Sequence, residues 1–540
     1  MARVGFFAMG ADNVSVEVLS AALKNAGHET ILGFDRALFG DLMYYTIAPL
    51  YRLFSTKKRL VRKVLDFQPD VIAFSVIVDN YKWCLDMARE IKRHSSVPIV
   101  FGGIHATTCP EEVIGHPEVD ILCVGEGSES LVELADGLEK NGVADTRLKG
   151  FWFKTKEGLV RNPCRPGLRN LDDLPAPDKE IIKDSWNVRD YYLAVTSRGC
   201  IEKCSFCQQS FYAEFEQRNN IGAYVREQSV DRVIKEFQRA KELYGVRYID
   251  IKNNVLSVST KWQMEFMTRY PKEVGVPFRI MIHPKQATAE YCRLLKAAGC
   301  DHAQIGIESL DEYVKKNIIK RHDTNEDARR AVKNLDEAGV KYSCDFIFGL
   351  PNQKIEELAE GVRFLAGLKH CIRASVFWMQ YLPGVGATQY AFNIGILSKK
   401  DLEDIQTGNQ DHYMSHGSVG DEEKKKELKN FMLLYRLAPI LPRWMLLGML
   451  NTKVHKWFRF LPQSAILVAI DVFVSFIRRD YWALYAMKSY WWELRSRIDK
   501  NLFIRLNTPK HRAKQSVQSS LPPPPSCSDK NEKVAAGASL

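Results

Sequence analysis

The stretch Ser197-Arg-Gly-Cys-Ile-Glu-Lys-Cys-Ser-Phe-Cys-Gln208 places three cysteines, Cys200, Cys204 and Cys207, on one short segment. Iron–sulfur clusters are held by cysteine thiolates, usually four of them. In this C-x3-C-x2-C pattern no fourth cysteine follows nearby. We therefore expect the protein to ligate three irons of a cubane cluster and to leave the fourth open. An open metal position binds a reactant, as it does in catalytic zinc sites, so the segment predicts a reactive centre.

A structural zinc site is the alternative interpretation of these cysteines. Zinc sites usually combine C-x-x-C with a second pair of ligands about 12 to 20 residues further on. The next cysteine or histidine after Cys207 is His283. Because the second pair is missing at that spacing, the pattern favours an iron–sulfur cluster.

With Phe206 directly before the third cysteine, the segment resembles the signature of radical S-adenosylmethionine enzymes. The resemblance implies a 4Fe–4S cluster whose open iron chelates the amino and carboxylate groups of S-adenosylmethionine, with Phe206 near the adenine. Reductive cleavage, with electrons from a flavodoxin or ferredoxin, would then give a 5′-deoxyadenosyl radical that abstracts hydrogen from a substrate.

The chain around this segment, residues 191–405, alternates strands with helices. The predicted strands are Tyr192–Thr196, Tyr248–Lys252, Phe278–Ile282, His302–Ile307, Lys341–Phe348 and Ser375–Leu382. Six such units fit a partial (β/α)6 barrel of the TIM type, in which chemistry takes place at the carboxyl ends of the strands. The cysteine segment follows the first of them.

The resemblance also assigns the S-adenosylmethionine-binding residues. They are Phe206, Glu308, Ser309, Gly349 and Pro351. Glu308 matches a ribose-contacting position at the end of the fourth strand, and acidic residues accept hydrogen bonds from ribose hydroxyls in other nucleotide-binding folds. The Gly349-Leu-Pro351 segment matches a loop beside the adenine, and Pro383-Gly384 with Thr388 matches a closing loop.

One part of this site departs from the family pattern. Asn253 and Asn254 stand where relatives carry acidic or glycine residues that hold the methionine amino group. Arg279 and His283 flank the third strand, and for each a cavity-facing role and a structural role remain open.

Residues 1–145 also alternate strands and helices. The predicted strands are Arg3–Met9, Thr30–Phe34, Asp70–Val78, Val97–Phe101 and Asp120–Val124. This order indicates a doubly wound parallel sheet of the flavodoxin type, whose ligands lie beyond the carboxyl ends of the strands.

Glycine-rich loops follow the fourth and fifth of these strands, at Gly102-Gly-Ile-His105 and Val124-Gly-Glu-Gly127. They resemble the cobalamin-binding domain that precedes the radical core in one large subfamily. The implied cobalamin-binding residues are Ser75, Gly102, Gly103, His105, Gly125, Glu126 and Gly127. For His105 a bond to its own backbone is the alternative. The loop Met9–Ser15 lacks the histidine of the D-x-H-x-x-G motif, which implies that no protein imidazole ligates the lower face of cobalt.

Length and composition complete the plan of the chain. Its 540 residues carry a net charge of +11 and are 46% hydrophobic, as expected of a folded protein with several units. We expect a cobalamin domain at 1–145, a linker at 146–190, the radical barrel at 191–405, a helical region at 406–505 and a disordered tail at 506–540. The first residues show no signal-peptide pattern, so we expect a cytoplasmic enzyme.

The region 406–505 is rich in apolar, aromatic and basic residues. Its longest apolar stretch, from Ala465 to Ile477, is too short to span a bilayer and contains Asp471. Two interpretations remain open. The helices cap the barrel, or they form an interfacial platform on the inner face of the membrane. The platform would suit a lipid-like substrate, and the excess of aromatic and apolar residues in the last third of the chain indicates a hydrophobic small molecule.

The resemblance implies C-methylation of an unactivated carbon, with S-adenosylmethionine and cobalamin as cofactors. A ring-forming cyclase of the anaerobic magnesium-protoporphyrin type is the first alternative. A tRNA methylthiotransferase is the second, but it needs a second cluster, and the contexts of Cys84, Cys109 and Cys123 do not match. An electron carrier without catalysis is the non-enzymatic alternative. We expect no nucleic-acid partner.

Overall fold

The computed structural model describes residues 1–496 apart from 11, 42–44, 47, 258, 411, 413, 415–416 and 418–421. The predicted disordered tail, 506–540, lies outside the described residues. Within them the chain forms two large sheets followed by a group of helices.

The first sheet confirms the prediction of a doubly wound fold. Its strands are β1 (Arg3–Met9), β2 (Glu29–Asp35), β3 (Val71–Ser75), β4 (Ile99–Gly102), β5 (Ile121–Cys123), β6 (Phe151–Thr155) and β7 (Gly158–Arg161), in the spatial order β2-β1-β3-β4-β5-β6-β7. The first five are parallel, in the flavodoxin-like order 2-1-3-4-5. The hairpin β6–β7, which the sequence places in the linker, extends this sheet antiparallel to β5.

Within the described residues, seven helices lie between β1 and β6 in the chain. They are α1 (Val14–Asn25), α2 (Ala48–Leu53), α3 (Lys57–Asp66), α4 (Tyr81–Lys92), α5 (Ile104–Thr108), α6 (Pro110–Gly115) and α7 (Ser130–Asn141). Helix α1 begins where the Asn13 side chain accepts a hydrogen bond from the backbone of Val16 at 3.2 Å, a standard N-cap. The strand residues between the helix layers are almost all buried and apolar, as in parallel sheets covered on both faces.

The second sheet confirms the partial barrel. Its six strands are β8 (Tyr192–Ala194), β9 (Ile249–Ile251), β10 (Phe278–Ile282), β11 (Cys300–Glu308), β12 (Lys341–Phe348) and β13 (Cys371–Trp378). They are parallel and adjacent in chain order. The surrounding helices are α8 (Gln208–Arg218), α9 (Val230–Tyr244), α10 (Thr260–Glu273), α11 (Ala289–Ala297), α12 (Asn325–Ala338), α13 (Ile355–Leu365), α14 (Gly386–Asn393) and α15 (Lys399–Gln406).

Four further helices pack on the barrel. They are α16 (Glu422–Leu437), α17 (Arg443–Asn451), α18 (Gln463–Arg478) and α19 (Tyr481–Ser496). The Tyr481 hydroxyl donates to the backbone oxygen of Asp190 at 2.8 Å, and the ring of Tyr485 stacks on Tyr191 at 4.6 Å. Since these partners precede β8, helix α19 closes the barrel at the amino ends of its strands. No helix within the described part of the chain is long and apolar enough to cross a bilayer.

A buried lysine joins the first sheet to the barrel. Lys179 in the linker lies 3.0 Å from a carboxylate oxygen of Asp12 and 2.6 Å from one of Glu17, and it donates to the backbone oxygen of Leu193 at 2.9 Å. Burial, and then the negative charge of Asp12, raise the pKa of Glu17 well above its usual value. Removing one partner of such a buried group leaves the other charges uncompensated, so this contact fixes how the two domains face each other.

Candidate active site between the two domains

The cysteine loop leaves β8 through a turn that only glycine fits. Gly199 has φ +82°, and a Cβ there would lie 2.4 Å from the backbone oxygen of Tyr224. Directly before this glycine, residues Ser197–Arg198 pair antiparallel with Arg226–Glu227. The glycine before Cys200 therefore has a steric cause.

Two other loops of the barrel hold the cysteine loop in place. The Ser205 backbone N–H and hydroxyl donate to the backbone oxygens of Ile319 at 2.9 Å and Ile318 at 2.6 Å. In turn the backbone oxygen of Ser205 accepts from Ala387 at 2.8 Å. These partners follow β11 and β13, so the loop is fixed at the carboxyl end of the barrel, where barrel chemistry is expected.

The three thiols lie in an environment that disfavours free thiolates. Burial raises the pKa of Cys204 to about 12 and that of Cys207 to about 11, and it also raises the pKa of Cys200. Arg321 opposes these shifts. Cysteines of this kind ionise when they bind metal. Three of them on one anchored loop fit three corners of a 4Fe–4S cluster.

Glu308 at the end of β11 has a strained backbone. Its φ is +64°, a conformation that non-glycine residues keep mainly at functional sites. Burial raises the pKa of its carboxyl to about 7, although Arg321, with a nitrogen 3.5 Å away, opposes the shift. The negative charge of Glu308 also raises the pKa of Cys204 and of Cys207, so the carboxyl lies beside the cysteine loop.

The other predicted S-adenosylmethionine-binding residues lie around the same end of the barrel. Phe206 packs against a buried apolar cluster that contains Leu350. Gly349 has φ +85°, and its backbone N–H donates to Gln353 at 2.7 Å, which sets the turn before Pro351. The Ser309 hydroxyl instead donates to Glu357 at 2.6 Å, so in this structure it supports the neighbouring helix.

Asn253 and Asn254 serve the loop itself. The Asn253 side chain accepts from the backbone of Thr196 at 2.9 Å and donates to the Thr196 hydroxyl at 2.8 Å and to the backbone oxygen of Leu256 at 3.0 Å. Asn254 donates to the backbone oxygen of Gly199 at 3.1 Å. These bonds link the end of β9 to the start of the cysteine loop.

The structure gives Arg279 and His283 polar partners. Arg279 is buried inside the barrel, with a guanidinium nitrogen 3.2 Å from a carboxylate oxygen of Asp250. The Nε2 of His283 lies 3.2 Å from Asp323.

A cavity of about 480 Å³ separates the first sheet from the cysteine loop. Six of the seven predicted cobalamin-binding residues line it: Ser75, Gly102, Gly103, Gly125, Glu126 and Gly127. Ser197, Arg198, Gly199, Gln209 and Tyr212 line it from the barrel. The cavity therefore lies where the two sheets present the carboxyl ends of their strands to each other.

Closely packed glycines form the wall of this cavity on the side of the first sheet. Gly103 has φ +93°, and a Cβ there would lie 2.9 Å from the backbone N and O of Val76 and 3.4 Å from the Ser75 hydroxyl. A Cβ on Gly102 would lie 3.2 Å from that of Cys123. Such bare backbone lets a bulky ligand approach closely, and the residues present fit a cobalamin tail beside Ser75.

The structure places His105 outside the cavity lining. Its ring is 1% exposed and packs on Tyr81, with ring centroids 4.4 Å apart. Burial lowers the pKa of His105 to about 4, so it is a neutral core histidine. No histidine lies among the described residues that line the cavity.

The ion pairs of Glu126 with Arg198 and Arg226 form a cross-domain clamp at one side of the cavity. The sequence did not predict these pairs. Glu126 lies 2.9 Å from Arg198 and also pairs with Arg226, and it accepts from the backbone N–H of Leu168 at 3.1 Å. Burial tends to raise the pKa of Glu126, but the two arginines together bring it below its usual value. The only hint in the sequence is that Arg198 directly precedes the glycine of the cysteine loop.

Two protein-family models match these two units. The radical SAM superfamily matches residues 194–365, and the B12 binding domain matches residues 8–135. The chain is a radical S-adenosylmethionine enzyme with a B12-binding domain. Its cofactors are therefore a 4Fe–4S cluster, S-adenosylmethionine and cobalamin.

Relatives of this radical enzyme include methyltransferases and cyclases. It is 25% identical over 397 residues to an uncharacterized methyltransferase of Pyrococcus horikoshii, covering 72% of this chain and 82% of that one. It is 26% identical over 366 residues to the anaerobic magnesium-protoporphyrin IX monomethyl ester cyclase of Cereibacter sphaeroides, covering 64% of this chain and 55% of that one. The sequence predicts both activities, methyl transfer as the first and ring formation as the alternative.

The fold is also that of a solved radical enzyme. The cobalamin-dependent S-adenosylmethionine radical enzyme OxsB, with aqua-cobalamin and S-adenosylmethionine bound, superposes with a TM-score of 0.62 at 15% identity. The match covers 94% of this chain and 83% of that one. This similarity confirms the two-domain α/β architecture.

Proposed function

We propose that this radical enzyme methylates an unactivated carbon of a hydrophobic small molecule. The cavity between the domains carries the proposal, because glycine loops of the B12-binding domain line one side and the cysteine loop lines the other. S-adenosylmethionine at the cluster supplies a hydrogen-abstracting radical, and cobalamin supplies a carrier for the methyl group. A substrate in the shared space would be within reach of both.

The residues of the chain bind, orient and exclude water. The thiolates of Cys200, Cys204 and Cys207 hold the cluster, and the apolar wall behind Phe206 keeps water from the adenine side. The carboxyl of Glu308 accepts a hydrogen bond from a ribose hydroxyl. The pair of Glu126 with Arg198 holds the two cofactor sites at a fixed separation.

Anaerobic reconstitution with iron, sulfide and hydroxocobalamin tests this proposal. We expect about four irons per chain, as for one 4Fe–4S cluster, cobalamin absorption, and 5′-deoxyadenosine formation with reduced flavodoxin or ferredoxin. With deuterated-methyl S-adenosylmethionine, the product should carry the label. About eight irons per chain would favour a methylthiotransferase with two clusters.

A cyclase is the second candidate, and the similarity to the Cereibacter sphaeroides protein favours it. A cyclase shares both domains but transfers no methyl group to its product. A product that has lost hydrogen and carries no deuterated methyl group would therefore indicate cyclisation and not methylation.

We also propose that the C-terminal helices contact the surface of a membrane, in addition to closing the barrel. Large apolar side chains lie exposed on α17–α19 and their connections: Trp444, Trp457, Phe460, Leu461, Phe473, Phe476, Ile477 and Trp491. Arg443, Lys453, Lys456, Arg459 and Arg479 lie among them. An aromatic surface with basic residues is typical of peripheral binding to anionic lipids.

Vesicle co-sedimentation tests this surface. We expect the protein to bind phosphatidylglycerol vesicles more strongly than phosphatidylcholine vesicles. The double variant Trp457→Ser with Phe460→Ser should lose most of the binding, since both side chains are more than 70% exposed. Leu243→Ser, which removes an exposed leucine on α9, is the matched control. Equal binding by both variants would contradict the proposal.

A further inference from the structure

The inside of the barrel carries a chain of polar side chains. Arg279 donates to Asp250 and also to Gln304, and the Gln304 amide donates to Asp345. All four are buried. They come from four adjacent strands, β9 to β12, so they form one layer across the barrel interior.

A second layer lies nearer the cap. Arg373 on β13 pairs with Asp480 at 2.7 Å, and His302 shares a hydrogen bond of 2.9 Å with Ser343. Burial, together with the surrounding cations, lowers the pKa of His302 well below its usual value, so this ring is neutral. The ring of Trp482 lies over the guanidinium groups of Arg279 and Arg373, at 5.6 and 4.8 Å. Each arginine of the interior thus has its own carboxylate.

Lys252 is the exception among the cations of the barrel interior. It follows β9 and lies two residues after Asp250, so its side chain points to the same interior face. Unlike the buried layer, it is exposed. Its ammonium lies 3.4 Å from Gln304, and among the described residues no carboxylate lies within ion-pair distance of it. Asp250 and Asp345, the carboxylates whose charges act on Lys252, are buried and bonded to Arg279 and Gln304 respectively.

The surroundings explain why this ammonium is poorly solvated although its side chain is open to the interior. Desolvation by the neighbouring residues of the barrel lowers the pKa of Lys252 to about 8. Arg279 and Arg373 lower it further, whereas Asp250 and Asp345 raise it. An anion in contact would relieve both the desolvation and the repulsion.

We propose that Lys252 binds an anionic group of the substrate, a carboxylate or a phosphate, inside the barrel. This subsite rests on the proposed function, because it assumes that the substrate enters from the cofactor cavity. Asn254, two residues further on, is bonded to the cysteine loop at Gly199. An anion on Lys252 would therefore direct the rest of an amphiphilic substrate towards the cluster and the cobalamin cavity.

Competitive labelling of the reconstituted holoenzyme tests the subsite. Trace acetylation with acetic anhydride at pH 7, followed by peptide mass spectrometry, gives the reactivity of each lysine. The probes are hexanoate, hexyl phosphate and hexan-1-ol, which share one chain and differ in the head group. Lys272, exposed in the last turn of α10, is the internal control.

We expect one or both anions to slow the acetylation of Lys252. An opposite charge in contact raises a lysine pKa by about one unit or more, which makes the reactive free amine about tenfold scarcer at pH 7. Hexan-1-ol should have little effect, and Lys272 should respond to none of the probes. The anion that protects Lys252 more strongly identifies the anionic group of the substrate as a carboxylate or a phosphate.

Two results would overturn the subsite. Lys252 could react at the same rate with and without saturating anion, or hexan-1-ol could protect it as well as the anions do. The proposed function fails separately, since it requires 5′-deoxyadenosine formation by the same wild-type preparation. A preparation that makes 5′-deoxyadenosine but shows no anion protection would refute only the role of Lys252.

Discussion

The carboxylate of Glu126, in the glycine loop after β5, lies 2.9 Å from the guanidinium of Arg198, two residues before the first cluster cysteine. One ion pair thus connects the cobalamin cavity to the cysteine loop. Charge-assisted hydrogen bonds of this kind contribute about 1.5 to 3 kcal/mol, and the pair is partly buried. We expect the separation of the two cofactor sites to depend on it.

We expect Glu126→Ala to release cobalamin and to lower product formation several-fold. It leaves Arg198 without its carboxylate partner and leaves Arg226 with only Glu216, at 3.7 Å. Cobalamin retained after gel filtration is the measurement. Glu214→Ala, which removes an exposed partner of Arg218 on α8, is the control. Normal cobalamin content in the Glu126 variant would show that the clamp does not set the geometry of the cavity.

Gly103→Ala should abolish cobalamin binding. The new Cβ would lie 2.9 Å from the backbone of Val76 in a left-handed conformation. The backbone there, with φ +93° and ψ −167°, lies in a region that is essentially confined to glycine and costs other residues about 1 to 3 kcal/mol. Gly142→Ala is the matched control, because Gly142 also has a positive φ of +69° but has nothing within 4 Å of the Cβ position. Cobalamin titration of both variants shows whether the loss of binding is specific to the cavity wall at Gly103 or follows from alanine at any positive φ.

Acid should destabilise the first domain through His105. Its folded pKa of about 4 lies below the unfolded value of 6.5, so between these values the unfolded chain binds more protons. Stability therefore falls as pH drops from 6.5 to 4, by about 3 kcal/mol from this residue alone. Urea unfolding of the wild type and of His105→Gln at pH 7 and pH 4.5 measures it.

The variant should lose less stability on acidification than the wild type does. It should also retain cobalamin, because the ring does not line the cavity. Loss of cobalamin from His105→Gln with unchanged folding would instead assign this histidine to the cofactor.

The sequence was informative where local rules decide the structure. The alternation of strands and helices predicted two parallel sheets, and the glycine-rich loops predicted where the first sheet meets its ligand. Strands β10 and β12 have the predicted bounds. In these strands the buried apolar residues and the helix starts that follow carry the signal.

The last barrel strand was predicted too late in the chain. The sequence indicated Ser375–Leu382, and the structure has Cys371–Trp378. Arg373 faces a polar interior, so an apolar run does not mark the start of the strand. Beyond Trp378 the chain leaves the sheet, but Met379 and Tyr381 are buried in a separate apolar cluster and continue to look like strand.

Contacts between distant segments could not be derived from the sequence. The hairpin β6–β7 joins the first sheet by pairing with β5. Glu126 finds Arg198 and Arg226 on the barrel. Among the described residues Lys252 has no carboxylate at ion-pair distance, because the neighbouring polar groups pair with residues of other strands and of the cap. Each depends on how the domains meet, which no local pattern encodes.

Cleavage of S-adenosylmethionine by the anaerobically reconstituted enzyme shows whether Cys200, Cys204 and Cys207 hold the reactive cluster. With dithionite, the wild type should form 5′-deoxyadenosine, and Cys204→Ala should form none above background. Cys164→Ala, which removes a half-buried cysteine beside the first sheet, should match the wild type. Equal formation of 5′-deoxyadenosine by the Cys204 variant would contradict the claim that these three thiolates hold the reactive cluster.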